Sequence, residues 1–278
     1  MFHLVARALP DTLLFRNWTE GLMLWRVVTG TFEGEIVALC VMPDHVHLIL
    51  PHADPSQRLA RAMAAFAKAR NARRSQRGPV WQTHPTPRAI PDDSHLRRTI
   101  RYVHLNPCRA RLASDPLAWP LSTHRDRVGF AAEPVVEVRP DPGRFHHTVS
   151  ADEKVRPEGT LLPTTQFRDF TWEAVVDVAS ALFRRPPEDV TLRGPMRTIA
   201  LKTAWAHGLR DRAFLMREVG VNASSLHRLC STVPDRGAHF ADPALEAAVR
   251  AVGDERFGAL HVGDLRYAPA WWRYRNLR

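Results

Sequence analysis

The chain has 278 residues, 45% of them hydrophobic, and 39 Lys+Arg against 29 Asp+Glu give it a net charge of +10. That length and apolar content permit one large or two small folded domains and exclude a mainly disordered chain. No apolar run approaches the roughly 20 residues that span a bilayer, and the charge balance points to a polyanionic partner such as nucleic acid.

In chain order, the alternation of Phe2, Leu4 and Ala6 with polar or small residues predicts a first strand. Residues 17–28 read as a helix capped by Asn17 or Thr19. Two β-prone stretches, 35–42 and 45–50, flank the turn Pro43-Asp44 and predict a hairpin. Ser56 opens a helix to about Arg74, with Leu59, Met63 and Phe66 on one face. A short strand is expected at 79–83, then a loop marked by Pro85, Pro87 and Pro91. Ser94 is expected to cap a helix carrying Leu96, Ile100 and Val103. The order β-α-β-β-α-β-α suits a ferredoxin-like α+β plan, an antiparallel sheet with helices on one face.

These elements define a first unit, 1–130. Prolines and charges mark 131–164 as a linker. Helical patterns dominate 165–235, where 213–218, Gly220 and 222–229 have a helix-turn-helix layout, and 236–278 forms a tail of mixed aromatics and arginines. Residues 1–130 hold 18 Lys+Arg against 10 Asp+Glu, a net +8, and leave 21 against 19, a net +2, for the remainder. A chain ending near Gly129 is therefore predicted to keep the first unit's chemistry and its binding to a polyanion, with poorer discrimination between partners. The cysteines Cys40, Cys108 and Cys230 fit no disulfide or zinc spacing, and Met1 to Phe15 is unlike a signal peptide. A reduced, cytoplasmic protein, monomeric or homodimeric, is expected.

The chemistry concentrates in two stretches. In Pro43-Asp44-His45-Val46-His47-Leu48-Ile49-Leu50, strand alternation puts His45 and His47 on one face, roughly 6–7 Å apart, where both imidazoles could meet one cation. The same spacing also suits two ordinary half-buried histidines. In Arg101-Tyr102-Val103-His104-Leu105-Asn106-Pro107, Tyr102 is a residue able to form a phosphoester, with Arg97, Arg98 and Arg101 around it to favour its phenolate. Asn106 is one helical turn on, though Pro107 biases it away from helical dihedrals. By residue type alone, Tyr102 also suits a packing role and Asn106 a helix cap.

Together the pieces resemble the HUH endonuclease superfamily, in particular the single-tyrosine transposases of REP-associated type. Phe2-His3-Leu4-Val5-Ala6-Arg7, Val41 to Ile49, Val80-Trp81-Gln82, Tyr102 to Ala110 and Trp119 to Arg125 carry the resemblance, which covers about residues 1–130. It implies Mg²⁺ or Mn²⁺ on His45 and His47 with Asn106 as a third ligand. It also implies attack by Tyr102 on single-stranded or hairpin DNA to leave a 5′-phosphotyrosine. Imidazole ligands suit Mn²⁺ at least as well as Mg²⁺. In that context Arg70, Arg73, Arg74, Arg77, Arg97, Arg98, Arg101 and Arg109 are expected at DNA phosphates. The stretch 175–229 resembles the helical DNA-binding domain of DnaA-type initiators, which implies a recognition helix bearing Asn222, Ser225 and Arg228; a purely structural helical domain is the alternative. The chain departs from the pattern at Ala8, where the family's first strand usually continues Arg-Gly, and at Thr83-His84, where an Arg is common. These departures leave open a domesticated, weakly active or inactive DNA-binding regulator.

Overall fold

The computed structural model describes residues 1–152 and 171–231, apart from 52–54, 83–84, 86, 111, 114–115, 130, 132 and 207. The predicted tail 236–278, the end of the predicted linker at 153–164 and the departure at Thr83-His84 lie outside the described residues. In chain order the elements are β1 (Phe2–Arg7), α1 (Trp18–Thr31), β2 (Ala38–Val41), β3 (His45–Leu50), α2 (Ser56–Arg73), β4 (Arg88–Ala89), α3 (Asp93–His104) and α4 (Asn106–Arg109). They continue with α5 (His124–Arg127), α6 (Pro142–Ser150), α7 (Trp172–Phe183), α8 (Pro195–Ala206), α9 (Arg212–Val219) and α10 (Ala223–Ser231).

The architecture is α+β around a four-stranded antiparallel sheet of order β2-β3-β1-β4. The register pairs Val5 with His47 and Arg7 with His45, so the His3, Val5 and Arg7 side chains share a face with the two histidines. All six residues of β3 are buried, including Val46, Leu48 and Leu50 on the opposite face. Helix α3 packs across β2 and β3 and brings Tyr102 to the histidine face. Among the described residues no helix is long and apolar enough to cross a membrane.

Several local expectations shift by a few residues. Asn17 caps α1 by accepting from the Glu20 amide at 2.9 Å. The cap of α3 is Asp92, not Ser94, because its carboxylate accepts from the His95 amide at 2.8 Å. The fourth strand is Arg88–Ala89 rather than 79–83. Val80 and Gln82 still line β1, through Leu9 N–H to Val80 O and Gln82 N–H to Arg7 O, both at 2.9 Å. The prolines at 85 and 87 limit the ladder there, since proline offers it no donor.

The stretch read as a linker contains a helix, α6. Asp141 caps it, and Pro142 occupies its first turn, where a missing N–H costs nothing. Its His146 and Val149 are buried. Helix α7 packs against α1, and the Asp177 carboxylate accepts from the backbone amides of Trp18 (2.8 Å) and Thr19 (2.7 Å) at the start of α1. That carboxylate serves a helix N-terminus from 158 residues away in sequence.

Candidate active site

The hairpin and α3 converge on one cluster. The ring centroids of His45 and His47 are 4.7 Å apart, and the Tyr102 ring stands edge-on to His47 at 5.3 Å. Strand alternation places the two histidines together, and buried Val46, Leu48 and Leu50 on the other face hold the strand. Pro107 ends α3 at His104; Asn106 opens the short helix α4, and its side chain remains over the hairpin.

The hydrogen bonds fix which nitrogens are free. Nδ1 of His45 lies 2.6 Å from Oδ1 of Asp44. A carboxylate only accepts, so Nδ1 carries the hydrogen and Nε2 of the neutral ring presents a lone pair. That Nε2 sits 3.2 Å from Oδ1 of Asn106, while the Asn106 amide nitrogen is directed to the Tyr102 carbonyl at 3.5 Å. With the ring neutral, two acceptors face each other, an arrangement that a cation between them satisfies. The hydrogen bond to His45 is the main reason the Asp44 carboxyl titrates below its ordinary range.

His47 is buried and stacked on His3, with 3.0 Å between its Nδ1 and Nε2 of His3. Its Nε2 is buried with no hydrogen-bond partner. The tautomer with the hydrogen on Nδ1, donated to His3, leaves Nε2 bare; the other would turn an Nε2 hydrogen toward the Asn106 side chain. Burial, then the positive charges that His45, His3 and Arg7 can carry, push the His47 pKa far below its ordinary value, so the ring is neutral. Burial, with Arg88 nearby, lowers His3 to about 4. The donor set is therefore two bare imidazole nitrogens and one amide oxygen, which fits a divalent cation of borderline hardness. Among the described residues no group of three or more His, Cys, Asp or Glu side chains is placed to hold a metal ion; beside His45 and His47 the further oxygen donor is the Asn106 amide.

Tyr102 is 37% exposed, open to solvent on the side away from His47. The Arg109 guanidinium lies 5.0 Å from its ring centroid. Asp152 faces both Arg109 and Arg101 at 3.5 Å, and Arg101 also donates to the Ala151 carbonyl. These two arginines are thereby held beside Tyr102, whereas Arg97 and Arg98 are exposed on α3.

The basic end of α2 divides in two. Arg70 is 5% exposed and spends its donors on the Leu13 and Leu14 carbonyls, and Arg74 pairs with the buried Glu20 at 2.5 Å. Their expected role at phosphates is corrected here: burial and internal acceptors commit both to holding the 13–20 segment. Arg73 and Arg77 are exposed. In the helical region, Gly220 is the left-handed C-cap of α9 (φ 64°), and Asn222 caps α10 through the Ser225 amide at 2.8 Å. Asn222, Ser225 and Arg228 line one groove of about 620 Å³, together with Arg193 and Arg197. This groove is separate from the histidine cluster.

Neither His3 nor Asp44 is among the site residues expected from sequence, where Asp44 figures only as a turn residue. A signal for His3 was present: it lies two residues from Val5, the register partner of His47, and so is a diagonal neighbour on the same face.

No protein-family model matches the chain. A curated Haemophilus influenzae protein assigned to the REP-associated tyrosine transposases is 29% identical over 109 residues, covering 34% of this chain and 62% of the relative. The chain thus spans less than two thirds of that relative's length. A solved structure of a REP-associated tyrosine transposase bound to a REP hairpin aligns with 45% of this chain and 77% of its own, at 23% identity and a TM-score of 0.38. Over the matched 109 residues the chain is thus similar in sequence to a REP-associated tyrosine transposase.

Proposed function

We propose that the protein is a transposase-like DNA-processing enzyme that cuts and rejoins single-stranded or hairpin DNA through Tyr102. The observation that supports this reading most is the meeting of His45, His47, Asn106 and Tyr102 on one sheet face, with Nε2 of His47 buried and unpartnered. Mn²⁺ or Mg²⁺, held by Nε2 of His45, Nε2 of His47 and Oδ1 of Asn106, would neutralise charge at the scissile phosphate.

The Tyr102 oxygen attacks phosphorus, the P–O3′ bond breaks, and the 3′-oxygen leaves as a hydroxyl after taking up a proton. The phenol proton passes to solvent. Reversal by a 3′-hydroxyl restores the diester with no external energy. Arg109 and Arg101, held by Asp152, favour the phenolate and the pentacovalent phosphate beside it. Asp44 fixes the tautomer of His45, as carboxylates do for ligating histidines.

Incubation of the full chain with labelled single-stranded and hairpin DNA tests the reading. Nicking is expected with Mn²⁺ and is expected to disappear with chelator, and His45→Ala or His47→Ala should depress it by about a hundredfold. Unchanged nicking in chelator would remove the metal from the account.

A further inference from the structure

An open groove of about 770 Å³ runs between α3 and α6. Leu96, Ile100 and Phe145 provide apolar surface along it. Arg97, Arg98 and Arg101 lie on its α3 side, and Arg139 and Arg144 on its α6 side. Two carboxylates also border it, Asp93 and Asp141, and Asp141 is engaged as the cap of α6. The Arg139 guanidinium stands 5.6 Å from the Phe145 ring centroid, which places a cation beside an aromatic face.

Arg101 is engaged by Asp152 and the Ala151 carbonyl, which leaves four arginines against two aspartates, a balance that selects a polyanion. The apolar surface between them narrows the choice. Bases in a duplex hide their faces in the stack, whereas unpaired bases can lay theirs on apolar or aromatic side chains while cations track the phosphates. An acidic peptide would match the charge but would make no comparable use of that surface. Arg98 lies one helical turn before Tyr102 on α3, so a strand leaving Tyr102 can run directly into the groove.

We propose that the groove between α3 and α6 binds a single strand of nucleic acid, with bases over Leu96, Ile100 and Phe145 and phosphates between the two arginine sides. Only the strand's role as the flank of the cut phosphate rests on the cleavage reading above. Helix α6, in a stretch read from its prolines as a linker, thereby gains a function.

The test uses the full chain, fluorescently labelled oligothymidylate and a duplex of mixed sequence. The Arg139→Glu/Arg144→Glu double variant should bind the single strand at least about tenfold more weakly, with its melting temperature and duplex affinity unchanged. Losing two phosphate contacts should flatten the log–log salt dependence by about 1.4. Single-strand affinity within about twofold of the parent, or an equal loss for strand and duplex, would overturn the proposal. A photoreactive side chain at exposed Thr148 keeps the question open to test should the double variant fold poorly. It should crosslink the single strand, and crosslinking to the chain's own segments in preference to the strand counts against the groove. Tyr102→Phe separates the two readings. If the parent forms no DNA adduct but the groove variant still loses strand binding, the cleavage reading fails and the groove stands; an intact adduct with unaltered strand binding has the reverse meaning.

Discussion

Arg184 and Asp126 form a buried, two-pronged ion pair, 2.6 Å at each contact, between the end of α7 and α5. The same guanidinium lies 4.1 Å from the ring centroid of Trp25 in α1 and donates to the Ser122 and Glu133 carbonyls. Removing one partner of such a pair leaves a buried charge with no counterion. Arg184→Ala is therefore expected to cost on the order of 3–5 kcal/mol of stability. Ending the chain near Gly129 removes Arg184, the Asp177 cap of α1 and the apolar face of α7 together. Against the expectation from charge distribution, that fragment is predicted to be unfolded or insoluble. Thermal melts of the full chain, Arg184→Ala and the fragment check this; a fragment that melts like the parent would show that α7 is dispensable.

The two halves of the α2 arginine run should respond oppositely. Arg70→Ala leaves the Leu13 and Leu14 carbonyls without donors and should lower stability by about 1–3 kcal/mol. Arg73→Ala, at an exposed position, should leave the melt within about 0.5 kcal/mol of the parent and weaken DNA binding modestly. Urea titrations and strand binding measured side by side separate the two. A destabilised Arg73→Ala with an unaffected Arg70→Ala would contradict the assignment.

The shared face of the two histidines was legible because its physics is local. Alternation in 45–50 fixes the shared face of His45 and His47, and the Pro43-Asp44 turn fixes the hairpin. The arginines of α2 misled because a basic run has the same appearance whether it meets solvent or buried carbonyls, and the acceptors for Arg70 lie 56 and 57 residues away. Helix α6 was hidden by its own prolines, which mark loops except in a helix's first turn. The docking of α7 on α1 depends on Asp177 and Arg184 meeting partners 58 to 159 residues away, pairings that no local pattern encodes.

A second histidine cluster should make stability depend on pH. His104, His124 and His146 are buried together; His104 meets Thr123 at 3.2 Å and His124 meets His146 at 3.0 Å. Burial pushes His124 well below its ordinary value of 6.5 and lowers His104 to about 3. Below about pH 6.5 the unfolded chain takes up protons on these rings and the folded chain does not. Stability is therefore full above that pH and falls as the medium is acidified toward pH 3, by about 1.4 kcal/mol per pH unit for each ring held neutral. Chemical denaturation at pH 7.5 and 5.5 should show the loss, and His124→Gln should make it smaller. Equal stability at the two pH values would contradict the buried neutral cluster.

His3 should matter for metal affinity while touching no metal. When it accepts from Nδ1 of His47, Nε2 of His47 is left bare for a cation. His3→Ala is expected to weaken Mn²⁺ binding by about 10–100-fold, the usual effect of losing a ligand's orienting partner. His3→Gln, whose side-chain oxygen can accept the same hydrogen, should restore part of the affinity. Calorimetric titration of Mn²⁺ into the three proteins reads this without any turnover, and parent-like affinity in His3→Ala would remove His3 from that role.

The account's central claim is that Tyr102 becomes covalently joined to DNA. Incubating the full chain with Mn²⁺ and end-labelled single-stranded DNA, followed by denaturing electrophoresis and peptide mapping, tests it most directly. The expected result is a DNA-linked protein band whose label maps to Tyr102 and which Tyr102→Phe abolishes while strand binding persists. A band of equal intensity in Tyr102→Phe, or a label mapping elsewhere, would contradict it.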